Sequence, residues 1–149
     1  MEWNKDKSIT LSKGCILLFS VILLAMDATG IRLVRLFSYF RELERGTTAV
    51  LYLTFYSCSI FGWIVLWKMW KLLSSLQSAQ VFTEENVRIL RTVSWCCAAV
   101  AFICLAASLS YLPFIVVSAA AAFMSLIVRI VKNCFQQAVS MKDELDLTV

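Results

Sequence analysis

Charged residues avoid three long stretches of the chain and one shorter one, and these stretches predict the architecture. Thr48–Trp67, TAVLYLTFYSCSIFGWIVLW, runs for twenty residues without a charge. A helix of that length, at about 1.5 Å per residue, crosses a hydrocarbon core of about 30 Å. Thr92–Leu112, TVSWCCAAVAFICLAASLSYL, is equally uninterrupted, and Pro113–Val128 follows after only a tight turn. Pro113 suits the first turn of a new helix, where its missing N–H costs nothing. The first span has a shorter apolar core, Gly14–Met26, before Asp27 interrupts it. Counting back to Ile9, with Lys13 snorkelling to the interface, gives adequate length. The predicted fold is an all-α integral membrane protein, a single domain over 1–149 with four transmembrane helices at about 9–27, 48–67, 92–112 and 113–131.

The polar pattern between the runs predicts further helical segments. In Ile31–Arg45, Arg32, Arg35, Glu42 and Arg45 gather near one face and Ile31, Val34, Phe37 and Phe40 on another, with Gly46 placed as a C-cap. That segment reads as a separate helix lying in the outer interface. In the loop at about 68–91, QVFTEENVRILR carries an apt N-cap at Thr83, two acids at the positive end of the helix dipole, and Phe82 poised to staple onto Val87. A helix should start there and run unbroken into the third span. Past Val128 the fourth helix continues with Arg129, Lys132, Asn133, Gln136 and Ser140 on one face and an apolar stripe on the other, the helix begun at Thr83 being the plain partner for that stripe. Alternating Leu145, Leu147 and Val149 suit an extended tail, and three acids oppose the dipole, so the helix is expected to stop near Met141. The KDEL string at 142–145 is not terminal and is no retention signal.

Composition adds compartment and orientation. With 60% hydrophobic residues and a mean hydropathy of +0.79, the chain exceeds what a soluble domain of 149 residues can bury. Ten of the fourteen Lys and Arg fall at the two termini and in the middle loop, and four in the segment after the first span. That bias places both termini in the cytoplasm. Glu42 and Glu44 can pair with the four outer arginines. A cleaved signal peptide is disfavoured, since Met26 would occupy a position that wants a small residue.

The chain has no histidine, which removes triad catalysis, the HExxH zinc site and imidazole proton relays together. The six cysteines lack CxxC spacing, and adjacent Cys96 and Cys97 point about 100° apart on a helix, so they read as packing residues. No catalytic, metal or cofactor site is expected. Asp27 is the acid nearest membrane depth and hence a candidate ion-coupling group, although its place at the end of an apolar run favours a boundary residue paired or solvated at the interface. Trp63, Trp67 and Trp70, spaced i, i+4, i+7, read as an interfacial aromatic belt. Ser94xxxAla98, Cys104xxxSer108, Ser118xxxAla122 and Ala121xxxSer125 give the last two spans small faces suited to close helix contact.

The VFTEEN string, Val81–Asn86, and the acidic end ELDLTV, Glu144–Val149, resemble the small bacterial membrane proteins grouped as domain of unknown function 2975. The resemblance implies a bacterial plasma membrane protein, often encoded beside a helix-turn-helix transcriptional regulator. The preferred functional expectation is a non-enzymatic protein offering that regulator a cytoplasmic docking surface made of Phe82, Thr83, Glu84, Glu85, Asn86, Glu144, Asp146, Leu147 and Val149. The partners expected are the lipid bilayer and the regulator, with no direct nucleic-acid contact and with homo-oligomerisation left open. The alternative is a small transporter or channel subunit that uses Asp27.

Overall fold

The computed structural model describes residues 3–41, 44–77 and 83–147, with side chains for 9–41, 44–77, 83–142 and 144. Four helices account for nearly all of it: α1 (Trp3–Phe40), α2 (Arg45–Gln77), α3 (Glu84–Ser108) and α4 (Phe114–Leu147). Each is long and apolar enough to cross a bilayer. The chain is a multi-pass membrane protein with the all-helical architecture that its apolar runs predict.

Successive helices are antiparallel, and each packs on its neighbours in sequence. α3 lies between α2 and α4, α1 lies on the far side of α2, and no other pair of helices comes into backbone contact among the described residues. Burial follows this order. None of the most apolar stretch of α1 is buried, against 39% of the corresponding stretch of α3. The start of α1 at Trp3 and the end of α4 at Leu147 lie at the same end of the array, called here the termini end.

Two expectations are corrected. The separate interfacial helix over 31–45 does not exist as such, because α1 passes through Asp27 and Gly30 and ends only at Phe40. Helical hydrogen bonds are made by the backbone and do not require apolar side chains, and a glycine inside a helix costs only about 1 kcal/mol. Gly30 instead makes room for a side chain of α2: a Cβ there would stand 2.7 Å from Phe55 Cε1. Between the second and third spans, α2 continues to Gln77 and α3 begins at Glu84, running unbroken into the third span as its cap at Thr83 predicts. Finally, α4 does not stop near Met141 but runs to Leu147. Propagating an existing helix adds one hydrogen bond per residue fixed, and that gain outweighs the unfavourable dipole term of the terminal acids.

The tight hairpin between the last two spans forms as expected. The Leu109 and Ser110 amides close the end of α3 on Ala106 and Ala107 carbonyls, and the Pro113 carbonyl accepts from Val116 N at 3.3 Å to open α4. Phe37 of α1 meets the hairpin through Tyr111, with ring centroids 6.0 Å apart.

Candidate functional site

At the termini end the first candidate is the start of α3. Thr83 is the N-cap, in extended conformation (φ −131°, ψ 148°), and its side chain accepts from the Asn86 amide. Glu84 and Glu85 occupy the first turn, where the helix dipole favours negative charge. Glu85 Oε1 lies 2.6 Å from Lys71 Nζ on α2, and that ammonium holds the Glu85 carboxyl below its usual range. Asn86, in contrast, is wholly buried, as is Val87 beside it. The string therefore divides by role: Thr83 caps, Asn86 packs, and Glu84 and Glu85 remain exposed. Phe82 and its staple to Val87 lie outside the described residues.

Beneath this cap the three helices share a core. Leu72 of α2 packs with Ile89 and Leu90 of α3, and Val128 and Phe135 of α4 close over them. Val139, a turn further, is also buried. The apolar stripe of the α4 extension is thus covered only in part from within the chain: Phe135, Ala138 and Val139 are wholly or partly buried, while Ile127, Ile130, Val131 and Met141 are left exposed.

Register then decides what α4 offers beyond the core. Ser94 pairs with Ser125 and Ser118 donates to the Ala101 carbonyl. Continued at that register, Glu84 stands level with Phe135, so α4 projects past the start of α3 by about 18 Å to reach Leu147. Exposed Glu144 is on this projection, Asp146 and Leu147 are in its last turn, and Val149 lies outside the described residues. One family model matches residues 9–149, and its description is Protein of unknown function (DUF2975). The chain belongs to this family. No curated protein and no solved structure matches it.

The second candidate of this DUF2975 chain lies inside the apolar array. Ser59 Oγ donates to Asp27 Oδ1 at 2.6 Å and Trp63 Nε1 donates to Asp27 Oδ2 at 2.9 Å, so both carboxylate oxygens are held by α2. Ser59 is buried. It stands about 16 Å along the helix from Thr48 and about 12 Å from Trp67, near the middle of the charge-free run. Asp27 is thus level with the middle of the charge-free run of α2. Flanking contacts keep the register: Tyr52 Oη donates to the Ile31 carbonyl at 3.1 Å, and Lys13 Nζ donates to Gln77 Oε1 at 2.6 Å.

The expected tryptophan belt divides in the same way. Trp63 binds Asp27 and the Trp70 ring lies 5.6 Å from Lys13 Nζ, whereas Trp67 is 72% exposed and can serve as an interfacial anchor. Sequence reasoning missed Ser59 and the donor role of Trp63. The available signal was their i, i+4 spacing on α2, which aims two hydrogen-bond donors at one point of a facing helix. The small faces of α3 and α4 do meet, and Ser94, Ser118 and Ser125 are buried between them. Cys58 of α2 faces Cys104 of α3 at 3.9 Å, and among the described residues no three His, Cys, Asp or Glu side chains converge on one point.

Proposed function

We propose that this protein is a non-enzymatic bacterial plasma membrane protein, with both termini in the cytoplasm, that docks a helix-turn-helix transcriptional regulator on its termini end. The observation that carries the reading is the projection of α4 to Leu147 beyond the core made by Leu72, Ile89 and Leu90. A helix packed along one side and extended past the core presents a surface of definite shape. Asp143, Glu144 and Asp146 give that end a negative charge that competes with DNA phosphates for the basic side chains of a regulator. Because the segment through Leu147 is helical, its contact would be helix-in-groove and not an added strand. Exposed Glu84 lies at the foot of the projection.

The test uses the full chain in lipid nanodiscs and the purified regulator encoded beside it. Capture at low salt is expected, and deletion of Met141–Val149 should weaken it by about tenfold or more, with a smaller effect at high salt where charge is screened. Undiminished capture by the truncated chain at every salt concentration would remove the docking role from the tail.

A second reading is favoured by Asp27. A carboxylate level with the middle of a span, held by Ser59 and Trp63, is the kind of group that couples ion or proton movement in small membrane transporters. Cation flux in liposomes that is abolished by Asp27→Asn would replace docking with transport.

A further inference from the structure

α3 and α4 carry matching triads at the border between their apolar and charged parts. Arg91, Ser94 and Trp95 stand at i, i+3, i+4 on α3, and Arg129, Lys132 and Asn133 repeat that spacing on antiparallel α4. The six residues line one open groove of about 270 Å³. Ser94 is locked to Ser125 by the pairing of α3 and α4, which fixes the two triads relative to each other. The Arg129 guanidinium lies 5.7 Å from the centroid of the Trp95 ring. Among the described residues, the ion pair found is Lys71 with Glu85, and no carboxylate comes within pairing distance of Arg91, Arg129 or Lys132. Three cations sharing a groove repel one another, and a bound anion relieves that repulsion.

We propose that this groove binds the phosphate of an acidic phospholipid headgroup. Depth argues for a lipid: Thr92 and Val128 end the charge-free runs of the two helices, so the groove straddles the border where headgroup phosphates lie. The exposed Trp95 ring adds an amphipathic flank for the glycerol and upper acyl region. Arg91 and Arg129 offer forked N–H donors, Lys132 a point charge and Asn133 an amide donor. A zwitterionic headgroup would bring its own cation against these three and is disfavoured. Inorganic phosphate shares the anion chemistry but has nothing to set against Trp95.

The purified full chain in detergent is titrated with phosphatidylglycerol or phosphatidylcholine, and bound lipid is counted by native mass spectrometry. Wild type should prefer phosphatidylglycerol. Arg129→Gln with Lys132→Gln should lower that affinity by about 30-fold, while Arg88→Gln with Lys142→Gln, two exposed cations outside the groove, should change it by less than about threefold. Arg129→Lys keeps the charge and should keep the preference. Equal binding of the two lipids by wild type, or equal losses in the groove and control pairs, would overturn the site. A loss in Arg129→Lys as large as in the neutralised pair would show that stacking on Trp95 and not charge governs binding, with the same consequence. Displacement of phosphatidylglycerol by inorganic phosphate at tens of millimolar would give the groove to a solution anion and overturn the lipid assignment.

Discussion

Removing the carboxyl of Asp27 should loosen α1 from the rest of the protein, and the expected size follows from two hydrogen bonds. α1 makes helix contact with α2 alone among the described residues, and Asp27 takes both Ser59 Oγ–H and Trp63 Nε1–H from it. Side-chain hydrogen bonds between transmembrane helices contribute about 0.6 kcal/mol on average and up to about 1.7 kcal/mol each. Asp27→Ala should therefore cost about 1–3 kcal/mol. The cost of placing a carboxylate in lipid does not offset this, because it falls on the inserted but undocked helix as well. Asp27→Asn should cost less than about 1 kcal/mol, since one orientation of its amide satisfies both neighbours. The amide oxygen would accept from Trp63, the amide nitrogen would donate to Ser59, and the Ser59 proton would turn to a carbonyl of its own helix. The assay is unfolding by sodium dodecyl sulfate in mixed micelles, followed by tryptophan fluorescence. Ser59→Ala should cost less in the Asp27→Ala background than alone, because the shared bond is already gone. If Asp27→Ala unfolded at the same detergent fraction as wild type, or if Ser59→Ala cost the same in both backgrounds, the clamp would contribute nothing.

Glu85 makes stability depend on pH in a defined sense: its carboxyl is lowered by Lys71, so its contribution is present above the ordinary carboxylate range and is lost as pH falls through the folded value. Wild type should therefore lose more stability than Glu85→Gln on acidification. The difference should shrink at 1 M salt, where screening acts within about 3 Å, and its persistence there would point to another group. In the α3–α4 contact, Ser125→Ala removes the bond to the Ser94 carbonyl and should cost about 0.6–1.7 kcal/mol. Ser125→Leu should cost about 1–3 kcal/mol by overpacking a buried site, and the same detergent assay would refute close packing there if leucine proved no worse than alanine.

The sequence by itself determined the number of helices and the membrane environment, because charge-free runs the length of a bilayer have no other stable use. It also determined the start of α3, since capping is a local matter between Thr83 and Asn86, and the hairpin at Pro113. Tertiary structure decided the neighbours. In a membrane protein the faces toward lipid and toward other helices are both apolar, so periodicity does not say which side of α1 meets α2. That choice rests on Gly30 admitting Phe55 and on Asp27 receiving two donors, neither visible as a run. Asp27 ends an apolar count in the sequence, yet the helical backbone continues through it to Phe40. The length of α4 was misjudged for a related reason: local signals at the tail favoured a stop, while the cooperative extension of a packed helix carried it to Leu147. The lipid groove needed both, with its two triads legible as spacing and their meeting supplied only by the register of Ser94 against Ser125.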